Sequence, residues 1–278
     1  MLCGYQAVYD TDFRDAIDYA KDNLFDYVSF DLNVPRFYID RMTTLEMDSL
    51  RAHADEAKVG LAFHAPGDNV SLFSDYPAIR QGMQDHFGAI IDAAESLGAR
   101  HLVVHAGIYP SFRMVRSSDE DFITEHETYY KAVLYDNFAY LAGRTKNILL
   151  CVENFQFSPL TMSVVDRLLG DTEQLSLTWD IAKTYDLDLA LDEPVEEFMW
   201  KHRCRIREVH AHDTIRQYHS HQVVGEGGID FTRYASVILS PDVGVTFEVR
   251  PREAATISRD HLIGMLKTMR TGMPCPNG

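Results

Sequence analysis

The sequence predicts a single (β/α)8 barrel. Short apolar runs alternate with amphipathic stretches of helical period, and strand starts recur roughly every 25 to 45 residues. Alternation of strands and helices is typical of a parallel sheet, and eight such units close a barrel of about 250 residues. The 278 residues fit that size. A doubly wound open sheet is the alternative that this pattern leaves open.

Eight apolar runs are predicted as strands. They are residues 2–5, 27–32, 59–64, 101–105, 147–153, 175–180, 206–212 and 245–249. Helices are predicted between them where apolar residues recur at helical spacing. The helices cover about residues 12–21, 43–54, 76–97, 125–143 and 260–269.

Capping residues mark several of these helix ends. Asp12 and Thr43 or Thr44 are suited to begin helices, and Gly98 to follow one. Two long connections, 107–124 and 213–230, follow strands. In a barrel, both would therefore lie at the face that carries active sites.

No change of composition divides the chain. We expect one barrel over residues 1–270 and a disordered tail over 271–278. A composition of 46% hydrophobic and 24% charged residues is ordinary for a globular domain. A net charge of −16 makes nucleic acid an unlikely partner, because an acidic surface repels phosphate.

The cellular setting is predicted from the cysteines and the apolar runs. Four scattered cysteines without a CxxC spacing are typical of reduced thiols in a cytoplasmic protein. No apolar run approaches the length that spans a bilayer, and no signal peptide is apparent. A homodimer is the default expectation for the assembly.

Six consecutive predicted strands end in a residue that can bind a metal or carry a proton. A single such histidine or glutamate is more often structural, but carboxylates gathered at one barrel mouth would repel each other, and a divalent cation neutralises them. The strand-end residues in this row are His64, His105, Glu153, Asp180, His210 and Glu248.

These residues predict one or two divalent ions. Glu153, Asp180, His210 and Glu248 would bind one ion, and His64 and His105 would share Glu153 around a second. Oxygen and imidazole ligands without thiolate suit Zn²⁺, Mn²⁺, Co²⁺ or Fe²⁺ and do not distinguish among them.

Residues near these strand ends are candidates for contacting a small-molecule substrate. His219 and His221 are two residues apart, so on an extended backbone they point the same way, although solvated loop histidines are the alternative. The remaining histidines, His101 among them, are interpreted as structural or surface residues. The substrate-binding candidates are Lys183, His212, His219, His221 and Arg250.

The order and spacing of the strand-end segments resemble the xylose isomerase-like barrel superfamily, which includes sugar isomerases, epimerases and the endonuclease IV family. The resemblance extends from about residue 60 to 250. It rests on Phe63-His64-Ala65-Pro66, residues 103–107, Val152-Glu153-Asn154, Trp179-Asp180, residues 209–213, His221 to Asp230, and Phe247-Glu248.

The resemblance implies roles for these residues. In the epimerases the glutamates that match Glu153 and Glu248 bind the metal and also move protons. In the endonucleases a third zinc is bound through DxxH and DxH motifs, whereas here Lys183 and His219-Ser220-His221 stand in those places. A protonated lysine cannot bind a cation, so that third site is not expected.

The function expected is therefore a divalent-metal-dependent isomerase or epimerase. Its substrate would be a sugar or a small polyhydroxy carbonyl compound, including keto acids and sugar phosphates. Proton transfer would pass through a metal-stabilised enediolate, with Glu153 and Glu248 as the catalytic groups. The alternatives are an endonuclease IV-like zinc phosphodiesterase, a metal-dependent lyase or dehydratase, and a binding protein without catalysis.

Overall fold

The structure is a computed structural model, and it describes residues 1–67, 70–110, 120–217 and 219–267, with the backbone alone at 219 and 220. The predicted tail, 271–278, lies outside these residues. The described chain contains ten strands: β1 (Leu2–Ala7), β2 (Tyr27–Asp31), β3 (Gly60–His64), β4 (His101–Val104), β5 (Leu149–Glu153), β6 (Leu175–Asp180), β7 (Ile206–Ala211), β8 (Asp213–Ile215), β9 (His219–Gln222) and β10 (Gly244–Phe247).

Eight of these strands close a parallel barrel in the order β1-β10-β7-β6-β5-β4-β3-β2. Each strand pairs in parallel with its neighbours, and β10 closes the ring by pairing with both β7 and β1. The predicted (β/α)8 barrel is therefore confirmed, and the doubly wound alternative is wrong.

Helices connect the barrel strands. They are α1 (Phe13–Asp22), α2 (Thr44–Ala57), α3 (Pro77–Ser96), α4 (Glu120–Arg144), α5 (Pro159–Asp171), α6 (Glu193–Lys201), α7 (Ala235–Ile238) and α8 (Arg252–Leu266). Asp12 caps α1 by accepting from two backbone amides, and Thr43 forms a reciprocal capping box with Glu46 at α2. Gly98 follows α3 at a φ of +67°.

Several segments differ from the prediction. Helix α4 begins at Glu120 rather than near residue 125, and α5, α6 and α7 lie in connections for which no helix bounds were predicted. The final helix begins at Arg252 rather than at residue 260, because Pro251 suits a helix start and Ala254 and Ala255 already pack against the barrel. The connection after β7 contains the antiparallel hairpin of β8 and β9, where the sequence predicts only a loop. Strands of three and four residues carry too little periodicity to be recognised.

The floor of the barrel, at the amino ends of its strands, is filled by the ring of Tyr27. The side chain is fully buried, and its hydroxyl lies 2.8 Å from Thr246 Oγ1. A Cβ at Gly4 would lie 2.4 Å from this ring, and one at Gly244 would lie 2.8 Å from its hydroxyl. Both positions therefore require glycine.

Cys3 and Cys151 are free and buried, as the sequence predicts, but Cys204 is disulfide-bonded, so the expectation of four reduced thiols is wrong. None of the helices in the described ranges is both long and apolar enough to cross a bilayer.

Candidate metal centre

Strand alternation brings the predicted residues together. In a barrel strand every second side chain points inward, so the inward residue nearest each carboxyl end reaches the barrel mouth. Register then aligns neighbours, because Asp180 lies opposite His210 and Thr246 opposite His210 on its other side. Glu153, Asp180 and His210 are each at most 2% exposed, and Glu248 is 5% exposed.

Glu153 is the hub of the cluster. One oxygen, Oε2, lies 3.0 Å from His64 Nε2 and 3.0 Å from His105 Nε2. The same oxygen lies 3.4 Å from His210 Nδ1. Three imidazoles from three strands or strand ends thus surround one carboxylate oxygen.

Glu248 approaches the same histidine from the end of β10. Its Oε1 lies 3.2 Å from His210 Nδ1 and accepts a hydrogen bond of 2.8 Å from Gln6 Nε2. Gln6 in turn accepts a hydrogen bond of 2.7 Å from Arg250 Nη2. The Arg250 and Gln6 side chains therefore hold the Glu248 carboxylate in place.

Hydrogen bonds and close contacts hold both the backbone and the carboxylate of Asp180. Asn154 clamps its backbone, because Asn154 Oδ1 accepts from Asp180 N at 2.7 Å and Asn154 Nδ2 donates to Asp180 O at 3.0 Å. The Asp180 carboxylate is 3.1 Å from His212 Nε2, and it accepts a hydrogen bond of 3.0 Å from the backbone amide of Lys183. The side chain is thus fixed in direction.

Four sets of three potential ligands have their ligand atoms within 4.8 Å of one another. Glu153, Asp180 and His210 form one set, and the predicted second-site residues His64 and His105 form another with Glu153. Glu248 joins His64 and His210 in the third set, and His212 and His221 in the fourth. All four predicted ligands of the first ion therefore lie in sets that share His210.

The residues present fit a divalent cation. His210 is fully buried, yet neither of its ring nitrogens makes a hydrogen bond of good geometry within the described residues. Buried polar atoms without a partner are rare and call for an explanation. A cation bound at Nδ1 supplies one, and the oxygen and imidazole donors around it are those of zinc and related ions.

The ionisation of the cluster points the same way. Burial opposes the charged form of His64, but the hydrogen bond and charge of Glu153 outweigh it and raise the pKa of His64 to about 9. Burial likewise opposes the charge of Asp180, but His212 outweighs it and lowers the pKa of Asp180 to about 2. The carboxylates are therefore stabilised as anions by the imidazoles around them, and a metal ion would take over that role.

The predicted substrate-binding residues lie around this cluster. Lys183 is half-buried, and its Nζ lies 5.8 Å from the centre of the Phe155 ring, which stacks on His105 at 4.5 Å. Arg250 is part of the Gln6 chain, and Asp31 is its nearest carboxylate at 3.9 Å. The side chain of His219 lies outside the described residues.

His212 and His221 stack on each other, with ring centres 4.3 Å apart. Both ring nitrogens of His212 contact the protein, since Nε2 faces Asp180 and Nδ1 accepts from the backbone amide of His221 at 2.9 Å. His221 Nδ1 lies 2.7 Å from the carbonyl oxygen of Glu248. His212 thus has the contacts of a residue that orients Asp180.

Sequence reasoning did not assign roles to several residues that shape this site. Gln6 and Asn154 support the ligands through side-chain amides, which carry no motif of their own. Glu208 lies two residues before His210 on β7, so it points to the same inward face. That spacing is the signal by which Glu208 could have been found.

Comparison with known proteins places the chain among barrels of related architecture. The family described as xylose isomerase-like TIM barrel matches residues 17–265. The structure of a D-tagatose 3-epimerase-like protein is similar, with a TM-score of 0.74 and 19% identity over 96% of this chain and 98% of that one. No curated protein matches the chain significantly.

Two further structures show the range of these barrels. Endonuclease IV from Thermus thermophilus matches with a TM-score of 0.69 and 16% identity over 97% of this chain and all 100% of that one. The IOLI protein with a zinc atom matches with a TM-score of 0.67 and 13% identity over 96% of this chain and 99% of that one. At these identities the likeness concerns the fold alone.

Proposed function

The chain belongs to the xylose isomerase-like TIM barrel family, and from that premise we propose that it is a divalent-metal-dependent isomerase or epimerase of a sugar or small polyhydroxy carbonyl compound. The observation that carries the proposal is the convergence of Glu153, Asp180 and His210, with Glu248 beside His210. Similar structures named as a D-tagatose 3-epimerase-like protein and a D-psicose 3-epimerase support a sugar substrate.

Glu153, Asp180, His210 and Glu248 would hold the ion. When bound, a divalent cation supplies Lewis-acid polarisation of a carbonyl oxygen and of the hydroxyl next to it. Zinc, manganese, cobalt and iron all suit this donor set.

Glu153 and Glu248 would act as the proton-transfer pair of this reaction. Within the described residues, hydrogen bonds engage Oε2 of Glu153 and Oε1 of Glu248, which leaves one oxygen of each able to take a proton. One glutamate removes the proton from the carbon next to the carbonyl, and the other returns a proton to the opposite face or to the neighbouring carbon. His212 and Asn154 keep Asp180 fixed while the protons move.

Lys183 and Arg250 bear on the class of substrate. Within the described residues Lys183 has no carboxylate within ion-pair distance, and Arg250 has only Asp31, at 3.9 Å. Lys183 therefore has a charge that is available to a substrate carboxylate or phosphate, whereas Arg250 is already engaged with Gln6. Keto acids and sugar phosphates are therefore candidate substrates in addition to neutral ketoses.

The test is solvent-proton exchange. Protein loaded with Zn²⁺, Mn²⁺ or Co²⁺ is incubated in D₂O with a panel of ketoses, keto acids and sugar phosphates, and deuterium at the carbon next to the carbonyl is measured by NMR. We expect exchange and isomerised product with one member of the panel, and no exchange in the variant E153Q. Failure of every loaded form to exchange any panel member would contradict the proposal.

A zinc phosphodiesterase of the endonuclease IV kind is the second candidate. The set of His64, His105 and Glu153 favours it, because a second ion beside the first is what such chemistry uses. Lys183 and the net charge of −16 weigh against a DNA substrate. Three bound ions per chain together with cleavage of an abasic-site duplex would reverse the ranking, whereas loss of water from a panel member would indicate a lyase or dehydratase.

A further inference from the structure

The barrel interior beneath the candidate metal centre holds a second set of polar side chains, which the proposed reaction does not use. Glu208 on β7 is fully buried, and so is its neighbour Thr246 on β10. His101, at the start of β4, is 3% exposed. A buried carboxylate costs several kcal/mol unless it is paired, so the groups that face Glu208 decide whether it is stable there.

Glu208 links this interior set to the metal centre. Its Oε2 lies 2.8 Å from His101 Nε2 and 3.5 Å from His210 Nε2. Its Oε1 accepts a short hydrogen bond from the hydroxyl of Thr246. The carboxylate is thus tied to two other strands while it faces the back of the His210 ring.

The two ring nitrogens of His210 face different carboxylates on opposite sides of the ring. Nδ1 faces the candidate ligands Glu153 and Glu248, at 3.4 Å and 3.2 Å. Nε2 faces Glu208, its nearest carboxylate on that side. An imidazole that binds metal through one nitrogen usually donates the other N–H to a carboxylate or carbonyl, which fixes the ring and its tautomer.

We propose that Glu208, itself held by His101 and Thr246, is the positioning residue that directs Nδ1 of His210 toward the metal. Hydrogen on Nε2 pointing at Glu208 leaves the lone pair of Nδ1 on the side of Glu153 and Glu248. This inference rests on the proposed metal centre, and it adds a residue that touches neither metal nor substrate.

The experiment measures metal affinity of the full chain. Zn²⁺ dissociation constants are determined by competition with a chromophoric chelator for the wild type, E208Q and E208L. The matched control is Y27F, which removes another buried polar group that also contacts Thr246 but does not contact His210. The melting midpoint of each metal-free variant is recorded alongside.

We expect the dissociation constant to rise about 10- to 100-fold in E208L and by less in E208Q, whose amide oxygen still accepts a hydrogen bond. Y27F should stay within about twofold of the wild type, even where its midpoint falls. In zinc-loaded wild-type protein the ¹⁵N shifts of His210 should report hydrogen on Nε2, and in E208L the proportion of that tautomer should fall.

The outcomes separate this inference from the proposed function. A wild type that holds Zn²⁺ while E208L holds it equally tightly would overturn the role of Glu208 and leave the metal centre standing. A wild type that binds no divalent ion would overturn both. If E208L does not fold, the affinity and the ¹⁵N shifts of E208Q decide, and values unchanged from the wild type would overturn the inference.

Discussion

At the residue scale, Glu153 and Glu248 each belong to two of the four candidate ligand sets, and they share none of them. Glu153 belongs to the set with Asp180 and His210 and to the set with His64 and His105. Glu248 belongs to the other two. Although both are buried glutamates beside His210, their removal should therefore have different effects.

We expect E153Q to lose metal and activity together, and E248Q to lose mainly activity. Glu153 contacts three imidazoles, so its amide variant leaves neither of its sets intact. E248Q keeps Glu153, Asp180 and His210, and should retain about one ion per chain while exchange slows by about 10²-fold or more. Elemental analysis and deuterium incorporation measure the two quantities.

The paired variants act as controls for each other. Equal metal content in both, with equal activity loss, would mean that the two glutamates are equivalent ligands. Metal loss in E248Q alone would mean that the ion lies in the sets that contain Glu248.

The sequence could indicate the candidate ligands because each lies at or next to the end of a recognisable strand. His64, Glu153 and Asp180 are such cases. Gln6, Asn154 and Glu208 could not be assigned roles in the same way, because their importance lies in which atom of a ligand they contact. Such a contact depends on barrel register, which the sequence does not reveal.

At the scale of elements, a carboxylate ties helix α3 to the start of β5. Glu95 Oε1 accepts from the backbone amides of Lys146, Asn147 and Ile148 at 2.6, 2.9 and 3.2 Å. Burial acts to raise the pKa of Glu95, but these hydrogen bonds outweigh it and lower that pKa. The ionised carboxylate therefore favours the folded state.

The variant E95Q should lose about 1 kcal/mol of unfolding free energy at pH 7, at the low end for a charged acceptor because the carboxylate is partly exposed. The pKa is depressed on folding, so the contribution is present above the unfolded value of about 4.3 and is lost as pH falls through the folded value. The difference between wild type and variant should shrink below about pH 4. Urea unfolding at several pH values measures it.

The control for E95Q is E56Q, which removes a carboxylate from the exposed face of helix α2. Its unfolding free energy should follow the wild type at every pH. A deficit in E95Q that persists unchanged at pH 3 would show that the carboxylate acts through packing rather than through its charge.

Element boundaries were predictable where a local signal exists. Asp12 and Thr43 marked helix starts because their side chains cap the first turn, and both capping contacts are present. The start of α8 and the hairpin of β8 and β9 were missed because tertiary packing, rather than a local pattern, determines them.

At the scale of the whole molecule, the candidate metal centre joins strands from around the barrel. The candidate ligands come from β3, β5, β6 and β7 and from the ends of β4 and β10. An ion that binds the folded chain and not the unfolded chain stabilises folding by mass action, by about 2.7 kcal/mol at a hundredfold excess over Kd.

We therefore expect a chelator to lower the melting midpoint of the metal-loaded protein by roughly 5 to 10 °C, given the size dependence of such shifts. Differential scanning calorimetry with Zn²⁺ and with EDTA measures the change. E153Q should melt at nearly the same temperature in both conditions. Identical midpoints for the wild type with and without chelator would contradict the prediction.

The ring of Tyr27 bears on the side from which a small molecule can reach the candidate site. The Tyr27 ring packs against Gly4 and Gly244 and closes the barrel axis at the amino ends of the strands. A small molecule would therefore reach the candidate site from the carboxyl ends. In the proposed reaction, substrate would enter and product would leave on the same side of the barrel, so product release would have to precede the next binding event.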